Sequence, residues 1–132
     1  MPFFTGKKDK KKILLVDDNL VQLSMVEVLL KKNYEVTSAK SGSQALDYLI
    51  HGLVPDLILL DIIMPNMDGW ETFGRLKAIS LLHKVPIIFL SSISEKTEID
   101  RAMSMGAFDF ISKPFNNKDL IKRINAAISK NE

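Results

Sequence analysis

Short apolar runs alternate along this chain with stretches of mixed polarity. Five runs have the length and composition of strands, and they lie at residues 13–16, 34–39, 57–60, 86–90 and 108–111. Between the runs, apolar residues recur at helical spacing, and the first helix has Asn19 as a suitable N-cap and Leu23, Val26 and Leu30 on one face. Four further helices are predicted at residues 43–50, 68–79, 94–105 and 117–129.

The order of these elements is five successive β/α units. Strict alternation of strands and helices predicts an α/β domain in which a doubly wound, parallel (βα)5 sheet carries helices on both faces. Right-handed crossover connections leave few possible topologies for such a sheet. In open sheets of this kind, ligands bind beyond the carboxyl ends of the strands, where the strand order reverses.

Polar residues follow four of the five predicted strands. Asp17 and Asp18 follow the first strand, Asp61 the third, Ser91 the fourth and Lys113 the fifth. A single aspartate at a strand end could be a helix N-cap. A shared edge that carries three acids, a lysine and a hydroxyl favours a functional site instead.

Three carboxylates on neighbouring strand ends need a cation. Two unit charges about 5 Å apart repel by roughly 3 kcal/mol at an effective dielectric constant near 20. Ligation by oxygen alone suits a hard metal that keeps several waters. The sequence therefore predicts Mg²⁺, with Mn²⁺ as the alternative, held by Asp17, Asp18 and Asp61.

The net charge of +2 over 132 residues is unevenly distributed. Residues 7–12, KKDKKK, contribute +4, so the remainder carries −2. We interpret residues 1–11 as a basic, flexible leader and residues 12–132 as the folded domain. A basic tract could contact nucleic acid or an anionic membrane, but so short a tract favours a solvated leader, and no direct nucleic-acid binding is expected.

The composition excludes several kinds of protein and site. The chain has no cysteine, which excludes disulfides and thiolate metal sites. No apolar run has the length of a membrane span, and the amino-terminal residues lack the order of a secretory signal. We expect a cytoplasmic protein.

Five motifs together resemble the receiver domain of two-component response regulators, the CheY-like family. They are LLVDDN at 14–19, AKSGSQAL at 39–46, DLILLDIIMPNMDG at 56–69, PIIFLSS at 86–92 and GAFDFISKPF at 106–115. The resemblance covers roughly residues 11–130, and the ordered combination is specific where each motif alone is weak. It implies a flavodoxin-like sheet in the order 2-1-3-4-5.

The resemblance also implies roles for particular residues. Asp61 would accept a phosphoryl group from the phosphohistidine of a sensor histidine kinase or a histidine phosphotransfer protein. The backbone carbonyl of Ile63 would complete the metal ligands, and Lys113 and Ser91 would contact phosphoryl oxygens. The bond from Lys113 to Pro114 would be cis. Such a domain modifies itself and turns over no free substrate.

A switch is implied as well, through Ser91 and Phe110. In receivers, phosphorylation draws the hydroxyl at the Ser91 position inward, and an aromatic residue at the Phe110 position moves into the vacated space. The face formed by the fourth helix, fifth strand and fifth helix would then control a partner or output. The alternative is that Phe110 is a strand residue of the core, since aromatic residues favour strands.

Two other functional classes were weighed. An aspartate-nucleophile phosphohydrolase would have a second acid two positions after the nucleophile, where this chain has Ile63. A receiver-like interaction module that is never phosphorylated would usually lack an acid or the lysine. The resemblance implies that Ile63 and Ile93 flank the path of the attacking water. Neither side chain can orient a water, so a long-lived phosphoryl group is predicted.

Overall fold

The computed structural model describes residues 10–130 of the chain. Its strands are β1 (Lys11–Val16), β2 (Tyr34–Ala39), β3 (Leu57–Leu60), β4 (Ile87–Ser91) and β5 (Asp109–Ser112). Its helices are α1 (Leu20–Leu30), α2 (Gly42–Ile50), α3 (Gly69–Lys77), α4 (Lys96–Ser104) and α5 (Asn117–Lys130), with a 3₁₀ turn at Ser80–Leu82. The first nine residues of the predicted leader lie outside the described residues, so the domain boundary at residue 12 stays a prediction.

The five strands form one parallel sheet in the order β2-β1-β3-β4-β5. This order confirms the predicted doubly wound, flavodoxin-like fold. The order in which strands are added to the sheet reverses between β1 and β3, which are parallel, hydrogen-bonded neighbours with Val16 paired to Leu60. The residues that follow these two strands, Asp17 and Asp61, therefore emerge side by side at the carboxyl edge.

The apolar parts of β1, β3 and β4 are buried on both faces, as their uninterrupted apolar runs predict, whereas the edge strand β2 is only partly buried. Along β1, Leu14 and Val16 pack towards α2, α3 and α4, whereas Ile13 and Leu15 pack towards α1 and α5. The helices contribute the outer layers of both cores, chiefly Leu23, Val26, Leu30, Ala45, Leu49, Phe73, Leu76, Ala102, Leu120, Ile124 and Ile128. These two cores hold the strand ends in fixed positions.

Two helices, α3 and α4, each have a limit that differs by two residues from the predicted one. The predicted continuation of α3 to Ile79 is wrong, because Ile79 instead precedes the 3₁₀ turn and α3 stops at Lys77. α4 begins at Lys96 and not at Ser94, because Glu95 has an extended backbone (φ −65°, ψ 134°) and is the N-cap, with the Ser94 N–H bonded to its carboxylate. Gly106, with φ +104°, follows the end of α4 as predicted.

Candidate functional site

The three predicted metal ligands lie together at the carboxyl edge of the sheet. Asp17, Asp18 and Asp61 each offer a carboxylate oxygen, and these oxygens lie within 4.8 Å of one another. Asp17 and Asp61 are buried, and Asp18 is exposed. Sequence reasoning therefore located the cluster correctly, because parallel strands must end at one edge.

Lys113 reaches this cluster from the end of β5. Its Nζ lies 2.9 Å from Oδ2 of Asp17 and 3.7 Å from Oδ2 of Asp61. The Lys113 backbone N–H donates to the Ser91 carbonyl at 2.8 Å, and the bond to Pro114 is cis, as the resemblance implied. The lysine is thus a buried counter-charge shared by two acids.

A hydrogen bond holds the Asp61 carboxylate in place, and its negative charge is only partly compensated. Oδ1 accepts a hydrogen bond from the Ile62 backbone N–H at 2.8 Å. Burial raises the pKa of Asp61 to about 6, and the charge of Asp17 adds to that rise. The ammonium group of Lys113 and hydrogen bonds from Ile62 and Ser91 lower this pKa but do not cancel the effect of burial.

The donor set fits a divalent cation. Three carboxylates face one ammonium group, which leaves two negative charges without compensation when all three acids are ionised. All the donors are oxygens, as Mg²⁺ and Mn²⁺ prefer. Asp17, Asp18 and Asp61 therefore have the donor chemistry and spacing to hold a hard metal ion.

An open cavity of about 320 Å³ lies over the cluster. Asp18, Asp61, Ile63, Ser92 and Lys113 line it together with the start of α1. The Ile63 side chain is exposed, and assignment of its carbonyl as a metal ligand stays a prediction. The cavity has room for a group of the size of phosphate and for several water molecules.

Ser91 lies beneath this cavity and is fully buried. Its hydroxyl lies close enough to Asp61 to lower the pKa of that acid, and its Oγ accepts the Ile93 N–H at 3.4 Å. The structure therefore brings Ser91 to the acid that it was predicted to assist.

Three residues that line the cavity, Asn19, Gln22 and Ser92, were not predicted as site residues. Asn19 was expected only as the α1 cap, and its Oδ1 does accept from the Val21 and Gln22 N–H groups at 3.1 Å. Asn19 and Gln22 both also face the cavity. Their three-residue spacing, one turn at the start of a helix that follows Asp17 and Asp18, was the available signal.

Phe110 packs inward and is 7% exposed. Its ring lies 6.0 Å from that of Phe89, which in turn lies 5.2 Å from Trp70 and 5.3 Å from Phe73. This position is that of a core residue, and a role in switching stays a prediction.

Comparison with known proteins shows the family to which this chain belongs. The family model for the response regulator receiver domain matches residues 13–125. The transcriptional regulatory protein CpxR of Escherichia coli K12 is 40% identical over 120 residues, which are 89% of this chain and 49% of CpxR. The two-component response regulator ORR3 of Oryza sativa subsp. indica is 34% identical, over 89% of this chain and 91% of its own.

Solved structures give the same result. A putative response regulator from Chloroflexus aurantiacus superposes with a TM-score of 0.85 at 29% identity, over 92% of this chain and 99% of its own. The chemotaxis protein CheY4 of Vibrio cholerae has a TM-score of 0.83 at 29% identity, over 89% and 98%.

The chain belongs to the response regulator receiver domain family of two-component systems. It spans about half the length of CpxR. Within residues 10–130, no helix combines the length and apolar character needed to cross a membrane.

Proposed function

We propose that this domain accepts a phosphoryl group on Asp61 in a Mg²⁺-dependent reaction and acts as a signalling switch in the cytoplasm. The donor is the phosphohistidine of a sensor histidine kinase or a histidine phosphotransfer protein. One observation carries the proposal: Asp61 lies within reach of two further acids and of Lys113, in a cavity open to an incoming group.

The transfer exchanges one bond to phosphorus for another. A carboxylate oxygen of Asp61 bonds to phosphorus, the P–N bond of the phosphohistidine breaks, and the imidazole leaves with the electron pair of that bond. The acyl phosphate remains on the protein until water removes it. No free substrate is turned over, so the domain is a self-modifying acceptor and not an enzyme in the usual sense.

The chain's own residues provide positioning and charge compensation. Lys113 Nζ is close enough to Oδ2 of Asp61 to move onto a phosphoryl oxygen. The Ser91 hydroxyl, which lies near Asp61, donates to a second phosphoryl oxygen. A bound Mg²⁺ supplies further positive charge to the phosphoryl group, and such compensation is the main need of phosphoryl transfer.

The surface beside the acceptor suits a protein donor. Val21 and Met25 on α1 are exposed apolar side chains. Gln22 lines both the acceptor cavity and a neighbouring groove that Met25, Pro114 and Phe115 also line. A partner that covers this apolar surface would deliver its phosphohistidine directly above Asp61.

Phosphorylation would be transmitted through Ser91 and Phe110. Movement of the Ser91 hydroxyl towards the phosphoryl group alters packing at the end of β4, where Phe89 meets the Phe110 ring. Because phenylalanine has no hydroxyl, the change must be read out by packing at the face of α4, β5 and α5. An output partner of unknown identity binds that face.

The test uses phosphoramidate, a small donor with the same P–N bond. The protein is incubated with phosphoramidate and Mg²⁺, and intact mass is measured beside Asp61→Asn and an EDTA control. A single phosphoryl adduct on the wild type, absent from both controls, is expected. An adduct of equal yield on Asp61→Asn would place the acceptor elsewhere and refute the proposal.

A further inference from the structure

The first turn of α3 approaches the acceptor backbone more closely than a side chain permits. A Cβ atom placed on Gly69 would lie 2.3 Å from the Asp61 carbonyl oxygen and 2.4 Å from the Ile62 Cα. Ordinary van der Waals contact begins at 3.4 Å, so both distances fall short by about 1 Å. The neighbours are backbone atoms, which cannot rotate away as the end of a side chain can.

Gly69 is also hydrogen-bonded to this segment. Its N–H donates to the Ile62 carbonyl at 2.7 Å, and the Ile62 N–H donates to Oδ1 of Asp61 at 2.8 Å. Ile62 therefore connects the start of α3 with the acceptor carboxylate. A displacement of α3 relative to β3 would change the orientation of the Asp61 side chain.

Further hydrogen bonds and packing contacts hold the first turn of α3 in place. Asp68 caps the helix by accepting the Glu71 N–H at 2.9 Å, and the fully buried Thr72 hydroxyl donates to the Asp68 carbonyl at 2.8 Å. A Cβ on Gly42, at the start of α2, would lie 2.2 Å from Oγ1 of Thr72. The turn therefore lies against α2 as well as against the acceptor.

We propose that Gly69 is a positioning residue that sets the geometry of the acceptor and the metal site through the backbone of residues 61–63. This inference rests on the proposed function and adds a determinant of that site. A methyl group at position 69 forces α3 and the Asp61–Ile62 backbone apart. The Asp61 oxygen and the Ile63 carbonyl then leave the positions from which they would bind Mg²⁺, and a displacement of about 1 Å can cost 10²-fold in reaction rate.

The test compares Gly69→Ala with Gly74→Ala. Gly74 lies in the same helix, and a Cβ there meets nothing within 4 Å, so it is a matched control. Mg²⁺ affinity is measured by calorimetry well below the melting temperature, with circular dichroism as the check on folding. The rate of adduct formation from phosphoramidate is followed at saturating Mg²⁺.

We expect Gly69→Ala to bind Mg²⁺ at least tenfold more weakly and to form the adduct about 10²-fold more slowly. Gly74→Ala should match the wild type in both. A folded Gly69→Ala protein with wild-type Mg²⁺ affinity overturns the proposal. A wild-type protein that binds no Mg²⁺ refutes the proposed function itself, so the two failures are distinguishable.

If Gly69→Ala does not fold, Gly42→Ala decides the question. That substitution displaces the same turn through the Thr72 side chain and adds no atom beside the acceptor. Weaker Mg²⁺ binding that is restored in Gly42→Ala/Thr72→Ala supports the proposal, because the second change removes the closest contact of the added Cβ, that with Oγ1 of Thr72. Wild-type affinity in folded Gly42→Ala overturns it.

Discussion

Nζ of Lys113 lies 2.9 Å from Oδ2 of Asp17, a residue 96 positions earlier in the chain. Both side chains are largely buried, so the pair is weakly screened by solvent. The lysine thus partly compensates the acid cluster before any metal binds. A bound Mg²⁺ would consequently compete with Lys113 for the carboxylates of Asp17 and Asp61.

Lys113→Met tests whether the lysine both stabilises the acid cluster without metal and competes with Mg²⁺. Removing one partner of a buried pair leaves an uncompensated charge, so the free energy of unfolding without metal should fall by about 3 kcal/mol. Mg²⁺ affinity should rise, by about tenfold, because a competing positive charge is gone. Adduct formation should nevertheless be slower, since the phosphoryl group loses its cationic partner.

The measurements are urea unfolding in EDTA, calorimetric Mg²⁺ titration and intact mass after incubation with phosphoramidate. Lys118→Met, an exposed lysine at the start of α5, is the control and should change none of the three. A fall in Mg²⁺ affinity in Lys113→Met would contradict competition between the two cations.

The raised pKa of Asp61 predicts a pH-dependent stability. Its pKa is about 6 in the folded protein and 3.8 as the reference value. Between pH 4 and 6 the folded state binds more protons than the unfolded state. The stabilisation of the folded state by protonated Asp61 is therefore fully present below pH 4 and is lost as pH rises through 6. The loss is at most about 3 kcal/mol.

Asp61→Asn removes this loss, because the amide stays neutral and its oxygen can still accept the Ile62 N–H. In EDTA at pH 7, the variant should be more stable than the wild type, and the difference should shrink at pH 4. Urea unfolding at both pH values measures it, with the exposed Asp100→Asn as the control. Equal stability at pH 7 would show that Asp61 carries no such cost.

The fold could be predicted from the sequence because its main signals are local. Buried apolar runs located all five strands, and helical spacing located all five helices. The larger errors in the helices were at their ends, where capping interactions determine the first and last helical residues. The Ser94 N–H bond to Glu95, for example, depends on a side-chain orientation that spacing does not encode.

The candidate site was predictable where it depends on topology. Adjacent parallel strands must bring Asp17 and Asp61 together. The close approach of Gly69 to the acceptor was not predictable, because it depends on how α3 packs across the sheet edge. The cation–π contact of Arg101 with Trp70, at 4.1 Å to the ring centre, likewise joins two helices with no shared sequence pattern.

Glycine at position 74 is predicted to lower the stability of the domain relative to alanine. It is exposed within α3, and a Cβ there meets open space. Gly74→Ala should therefore stabilise the domain by up to about 1 kcal/mol, because alanine loses less backbone entropy in a helix. A rise in melting temperature of about 3–5 °C is expected by calorimetry. A lower melting temperature would indicate a structural need for glycine that the geometry does not show.

The lifetime of the phosphoryl group should depend on Ile63. This side chain is exposed and lines the acceptor cavity, but it cannot bind or orient a water. Ile63→Asn introduces a group that can, so loss of the phosphoryl adduct should be about tenfold faster. The adduct is made with phosphoramidate, excess donor is removed, and its decay is followed by intact mass. Ile50→Asn, another exposed isoleucine, should decay at the wild-type rate. Equal decay of Ile63→Asn and wild type would mean that water reaches Asp61 by a route that does not pass this side chain.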